Sequence, residues 1–237
     1  MRLSKLEEEL LRERFPIQSD YDAAIDRLSD HEPLAYILGE WYFYDQVYKV
    51  SPDCLIPRPE TEHLVDELIK RSPQNAIIAD LCTGSGCITI STLCHRIDIT
   101  AVSVDISVPA LSIAKENAIK NGVEKRITFK QADVLKGNAL DNNLYDVIVS
   151  NPPYIKSELI DKLQEEVLRE PRIALNGGND GLDFYNVIFT KYRDNVKKGG
   201  MIICEIGYDQ GEELKNKFGV EIIKDYSGND RIAILYV

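Results

Sequence analysis

The stretch Ser150-Asn151-Pro152-Pro153-Tyr154 combines residue types that can hold and aim a planar nitrogen group. It follows the apolar run Val147-Ile148-Val149, which reads as a buried strand. Neither proline can donate a ladder hydrogen bond, so the chain must leave that strand stiff and extended. An asparagine amide oxygen beside a backbone carbonyl that no ladder uses forms a pair of acceptors, able to grip an NH2 group and direct its nitrogen. Tyr154 adds an aromatic wall for a planar group. Taken alone, the stretch is equally a proline-stiffened turn with no chemistry, and the residues upstream decide between the two.

Asp80-Leu81-Cys82-Thr83-Gly84-Ser85-Gly86 lies between an apolar strand pattern and a helical one, where ligands dock in open α/β sheets. A glycine-containing turn is weak evidence by itself, since tight turns need glycine anyway. Asp105 adds to it: about 20 positions past Gly86 and at the end of the next strand, it is placed to accept both hydroxyls of a ribose. Asp133, in Gln131-Ala132-Asp133-Val134 after the third strand, can accept an amino hydrogen of adenine. The three signals together indicate a nucleoside-containing cofactor. Cys87 and Thr89 stand where a pyrophosphate cradle would continue with glycines, and the loop has no phosphate-binding lysine. S-adenosylmethionine, which has no phosphate, therefore fits better than a dinucleotide.

These residues need a scaffold, and the periodicity describes one. Leu3, Leu6, Leu10 and Leu11 recur at helical spacing. A second helix carries Tyr21, Ala24, Ile25 and Leu28 on one face, with Ser19 and Asp22 bracketing a capped start. Residues 1–30 thus read as a short helical appendage. Residues 31–58 contain the aromatic cluster Trp41-Tyr42-Phe43-Tyr44 and an alternation through Val47 and Val50 that suggests a β-hairpin. Arg58, held between Pro57 and Pro59, and Glu60 after it form either a stiff binding wall or a plain linker. From residue 59 to 237, strand patterns at 76–80, 99–105, 127–130, 145–150 and 200–206 alternate with helical ones at 87–94, 107–121, 183–196 and 210–218. Strands at 220–225 and 231–237 follow on a short link, so they pair antiparallel. The expected fold is α/β: a doubly wound, mostly parallel, seven-stranded Rossmann-like sheet with a helical appendage and a hairpin before it.

Composition sets limits on function. A net charge of −11 over 237 residues opposes broad nucleic-acid binding, which depends on neutralising phosphates. No apolar run approaches the roughly 20 residues of a membrane helix, and the charged N-terminus has no signal-peptide core, so a cytoplasmic protein is expected. The five cysteines form no CxxC pair, and His31, His63 and His95 are scattered. Reduced thiols, no metal and no histidine base are the expectation.

The glycine loop, Asp105, Asp133 and Asn151-Pro152-Pro153-Tyr154 together resemble a class I S-adenosylmethionine-dependent methyltransferase acting on a planar nitrogen. Pro33-Leu34-Ala35-Tyr36-Ile37-Leu38-Gly39 and Leu55-Ile56-Pro57-Arg58-Pro59-Glu60-Thr61-Glu62 narrow the resemblance, as do Glu170-Pro171, Ala174-Leu175, Gly178, Gly181-Leu182 and Glu205-Ile206-Gly207. Over about residues 31–237 the chain resembles the peptide-chain-release-factor glutamine methyltransferases. The resemblance implies methylation of the glutamine amide nitrogen (N5) in the Gly-Gly-Gln motif of release factors; a monomer is expected, and the net charge argues against stable nucleic-acid binding. It implies that Asn151 and the Pro152 carbonyl hold the glutamine amide, with Pro153 and Tyr154 beside it, Phe43 as the facing wall and Arg58 in contact with substrate. It further implies S-adenosylmethionine on Asp80, Thr83, Gly84, Gly86, Asp105, Asp133 and Asn151. The chain departs from the family pattern at Cys82, where a glycine is usual, and in a helical region before Pro33 shorter than the family's. The alternative is a nucleic-acid adenine or guanine amino-methyltransferase with the same grip. On duplex DNA that enzyme would have to flip its base out, and it would be expected to carry a basic recognition region.

Overall fold

The structure is a computed structural model that describes residues 3–237. Helix α1 (Lys5–Arg14) opens on a capping box: Ser4 Oγ accepts from the Glu7 amide at 3.2 Å, and the Glu7 carboxylate accepts from the Ser4 amide at 2.7 Å. Helix α2 (Gln18–Ser29) begins after Ile17 with no side-chain cap, so the capped start at Ser19 and Asp22 is not made. Asp22 instead accepts from the Gln18 side chain at 2.7 Å. A third helical turn, α3 (Leu34–Leu38), precedes the hairpin and had no sequence signal. Ala35, Tyr36, Ile37 and Leu38 are all buried, so the turn has no polar face and no visible helical period.

Strands β1 (Glu40–Phe43) and β2 (Gln46–Lys49) pair antiparallel as the expected hairpin. Pro59 opens a 3-10 turn, Pro59–Thr61, that leads into α4 (Glu62–Arg71). Then β3 (Ile77–Leu81), α5 (Cys87–His95), β4 (Thr100–Asp105), α6 (Val108–Lys120), β5 (Ile127–Gln131) and β6 (Tyr145–Ser150) alternate. Three single-turn helices follow, α7 (Ser157–Ile160), α8 (Glu165–Leu168) and α9 (Arg172–Leu175), and then α10 (Asp183–Ile188). The chain ends with β7 (Val196–Glu205), α11 (Gly211–Phe218), β8 (Glu221–Lys224) and β9 (Asp230–Tyr236). The helix expected over 183–196 stops at Ile188 and resumes only as a 3-10 turn, Tyr192–Asn195. Thr190 Oγ1 donates to the Asn186 carbonyl at 2.6 Å, taking the acceptor that the next helical amide would use.

The main sheet has seven strands in the order β5-β4-β3-β6-β7-β9-β8, with β9 antiparallel to both of its neighbours. Its strands alternate faces: Ile78, Val147, Val149 and Ile203 pack under α4 and α5, whereas Ala79, Ile148, Ile202 and Cys204 pack against α10 and α11. Both faces are covered, which is why the central strands read as unbroken apolar runs. The chain winds in opposite directions from β3, with β4 on one side and β6 on the other. The loops that leave those strands therefore meet over one crevice.

Candidate functional site

Register brings the site together. Leu81 lies opposite Val104 on one side and Ser150 on the other, so the loop from Cys82 to Gly86 emerges between Asp105 and Asn151. Asp105 pairs with Gln131 one strand further out, which brings Asp133 alongside. The resulting cavity holds about 1060 Å³ of empty space, its open mouth included. Thr83, Gly84, Asp105, Asp133, Asn151, Pro153 and Arg58 line it.

Asp105 is held at the ends of two elements. One carboxylate oxygen accepts from the Gly84 amide and the other from the Ser107 amide, both at 2.9 Å, and burial raises its carboxyl above the ordinary range. Asp133 caps the turn that follows it, accepting from the Leu135 amide at 3.0 Å. Asp80 lies beneath the loop rather than in the wall. It is fully buried, one of its oxygens takes the hydroxyls of Thr83 (2.6 Å) and Thr89 (2.7 Å), and the other has no partner among the described residues. Burial pushes its carboxyl up to about 6. Gly86 is also outside the wall: at a φ of 82° it turns the chain into α5, and a Cβ there would lie 2.9 Å from Ile90 Cδ1. Cys82 adopts a φ of 62°, the left-handed conformation that suits the usual glycine, at a cost of about 1 kcal/mol. Burial holds its thiol well above the ordinary pKa.

Asn151 follows β6 at the cavity edge, and its Nδ2 donates to Thr61 Oγ1 at 3.1 Å. The Thr61 hydroxyl in turn donates to Glu205 Oε2 at 2.6 Å. Glu205 ends β7, and because Ser150 pairs with Cys204 it lies directly across from Asn151. Sequence reasoning missed this link: Thr61 and Glu205 are far from Asn151 along the chain, and no local pattern joins them. Pro152 is buried outside the lining, and its carbonyl takes no donor from the described residues. Arg58 does reach the cavity, where its guanidinium pairs with the buried carboxylate of Glu170, which also accepts from the Ile56 amide at 3.0 Å.

Two aromatic residues stand apart from the cavity lining. Phe43 is only 2% exposed and packs edge-on against Tyr48 in the core beneath the hairpin, with ring centroids 5.9 Å apart. It faces α4 and α5 and is not among the residues that line the cavity. Tyr154 also stands behind the lining, packed on the core against α10 with its hydroxyl 3.4 Å from Glu205 Oε1. The apolar walls come instead from Leu55, Ile173, Phe184 and Pro153. Ile173 and Phe184 belong to α9 and α10, whose approach to the cavity no periodicity announces.

Gly177 lets the chain after α9 approach the proline segment. Its amide donates to the Ile155 carbonyl at 2.9 Å, and a Cβ on Gly177 would lie 2.7 Å from Tyr154 Cα and 2.8 Å from the Pro153 oxygen. Both contacts are to backbone, which cannot swing aside. Gly177→Ala is expected to cost about 1–3 kcal/mol of stability, measured by denaturant unfolding. An unchanged midpoint would mean that the segment can shift freely.

The cavity suits a cationic nucleoside. Asp53, Asp105 and Asp133 face it, and the one cationic side chain in the lining, Arg58, is already paired with Glu170. An acidic lining whose one cation is already paired fits S-adenosylmethionine and opposes a pyrophosphate. The sheet order and this crevice define a Rossmann-like, S-adenosylmethionine-dependent methyltransferase. The Methyltransferase small domain model matches residues 59–182. A release factor glutamine methyltransferase of Neisseria gonorrhoeae is 38% identical over 92% of this chain and 81% of that protein. The protein of that name from Staphylococcus aureus is 37% identical over 90% of this chain and 79% of its own length. The chain belongs to the release factor glutamine methyltransferase family. A crystal structure of the ribosomal protein L11 methylase from Lactobacillus delbrueckii subsp. bulgaricus has the same fold, with a TM-score of 0.53 at 22% identity over 78% of this chain and 82% of that one.

Proposed function

We propose that this chain methylates the side-chain amide nitrogen (N5) of the glutamine in the Gly-Gly-Gln motif of peptide chain release factors. The observation that carries this reading is Asn151, held at the edge of an acidic cavity by Thr61, beside the uncommitted carbonyl of Pro152. S-adenosylmethionine supplies an electrophilic methyl group on a cationic sulfur. Thr83, Gly84, Asp105 and Asp133 are the side chains and backbone that would hold it, with Asp80 stiffening the loop through Thr83. Asn151 Oδ1 and the Pro152 carbonyl would accept the two hydrogens of the substrate amide. That grip favours a nitrogen whose lone pair is less delocalised into the carbonyl and fixes its direction, so the chain's contribution is mainly positioning. Pro153, in the wall, limits where the planar amide can lie, and Arg58 belongs to the stiff segment that faces the substrate.

The same reading takes residues 1–30 as a helical appendage, 31–58 as hairpin and linker, and 59–237 as the catalytic domain of a cytoplasmic monomer. Leu11, Tyr21 and Ala24 of the appendage share a small core with Ile37 and Leu38 of α3, so it packs on the segment that follows it. Among the described residues, no helix is long and apolar enough to cross a membrane. The deciding experiment incubates the chain with labelled S-adenosylmethionine and either an intact release factor or nucleic acid, then maps modified peptides and nucleosides by mass. Label on the glutamine of the Gly-Gly-Gln peptide is expected. Label only on a nucleic-acid amine would overturn the reading in favour of the adenine or guanine amino-methyltransferase.

Tyr154 supports this arrangement from behind. Its hydroxyl contact with Glu205 is long, at 3.4 Å, so Tyr154→Phe should retain most of the methylation rate. Tyr154→Ala should lose roughly 2–4 kcal/mol of stability, with activity falling alongside, because it opens a cavity behind Pro153. Equal damage from the two substitutions would give the hydroxyl a role of its own.

A further inference from the structure

The order of donors behind Asn151 has a direction. The Glu205 carboxylate, ionised, has no hydrogen to give, so the Thr61 hydroxyl must donate to it at 2.6 Å. The lone pairs of the Thr61 oxygen are then what Asn151 meets at 3.1 Å, and only the NH2 side of the amide can face them favourably. Thr61 and Glu205 are both buried, at 2% and 1% exposure, so water does not scramble this order. We propose that Thr61 and Glu205 are positioning residues for Asn151, locking its amide with the NH2 inward so that Oδ1 remains the acceptor for the substrate's NH2. This rests on the amide grip proposed above and adds what aims it. A free asparagine could present either its oxygen or its NH2 to the cavity, and the second would set donor against donor.

The groups around Glu205 are Thr61 and Glu60 from the turn before α4, Cys87 at the start of α5, Tyr154 from the segment after β6, Tyr185 of α10, whose hydroxyl donates to the Glu205 carbonyl at 2.9 Å, and Arg231 of β9, which is itself paired with Asp225 at 3.1 Å. Burial outweighs the favourable contacts and pushes the Glu205 carboxyl up to about 7. Below that pH the carboxyl gains a hydrogen to give to Thr61. Thr61 can then donate to Asn151 instead, which favours the amide turned the wrong way. The maximal rate should fall as pH drops through about 7. The stability effect has the opposite sign. A carboxyl raised from its ordinary pKa binds its proton more tightly in the folded state, so stability falls as pH rises from the ordinary value through about 7. The charge at Glu205 is thus kept at a cost to the fold.

The test compares Thr61→Val, Thr61→Ser and Glu205→Gln, with Asn151→Ala as reference, on intact release factor. Thr61→Val keeps the shape and removes the hydroxyl. It should lower kcat about tenfold or more while S-adenosylmethionine affinity, by calorimetry, stays within about twofold. Thr61→Ser should recover most of kcat. Glu205→Gln should be slower, with a rate nearly flat from about pH 6 to pH 8, and at pH 8 at least as resistant to thermal unfolding as the parent. Thr61→Val with the parental kcat, or Thr61→Val and Thr61→Ser equally impaired, would overturn the positioning role while a slow Asn151→Ala left the grip standing. If Asn151→Ala itself kept the parental rate, the grip would fall and this inference with it.

Discussion

Asn151→Ala is expected to lower the methyl-transfer rate on an intact release factor roughly 30- to 1000-fold, about 2–4 kcal/mol, with little change in fold or cofactor affinity. Among the described residues the side chain makes one hydrogen bond, to Thr61, and its backbone is held in place by Pro152, Pro153 and the β6 register. Its removal therefore takes away an aimed acceptor, not a support. The loss should fall on kcat rather than on KM, because an amide nitrogen is a poor nucleophile and the bond to Oδ1 counts most as its lone pair is committed. Single-turnover methylation, with the product peptide read by mass, separates this from slow product release. A parental rate in a folded Asn151→Ala variant would sink the proposed function at its centre.

Asp105→Ala is expected to weaken S-adenosylmethionine binding on the order of 100-fold, about 3 kcal/mol. Two losses combine. The ribose hydroxyls lose a charged acceptor, and the Gly84 and Ser107 amides lose the carboxylate that both now share at 2.9 Å. The second loss loosens the loop at the place where Thr83 and Gly84 meet the cavity. Asp105→Asn separates the two, since it keeps an acceptor for one amide but not the charge, and its affinity should fall between those of parent and alanine variant. Calorimetric titration of the folded variants is the measurement. Unchanged affinity in Asp105→Ala would reduce Asp105 to a residue that ends a strand.

Much of this architecture was legible because its causes are local. A run such as Val147-Ile148-Val149, buried on both faces, has to be apolar throughout, and two prolines after it have to end the ladder. The strand ends carrying Asp105, Asp133 and Asn151 were found for the same reason, and parallel winding requires those ends to converge. The sheet, its antiparallel edge and the cofactor crevice follow from patterns a few residues long.

Other features depended on which surfaces met. The alternation in the hairpin separates Tyr42, 71% exposed, from Phe43, 2% exposed, but it does not say whether the inward face meets the cavity or the sheet. Packing against α4 and α5 decided for the sheet. The five-residue α3 was hidden because burial on every side erased its period. The walls at Ile173 and Phe184, and the close pass of Gly177 behind Tyr154, come from a segment without a strong repeat. Sequence alone therefore determined the sheet, the crevice and the asparagine that stands at its edge. Only the tertiary structure decided which way that amide points, because Thr61 and Glu205 reach it through the sheet register and the fold of the preceding turn.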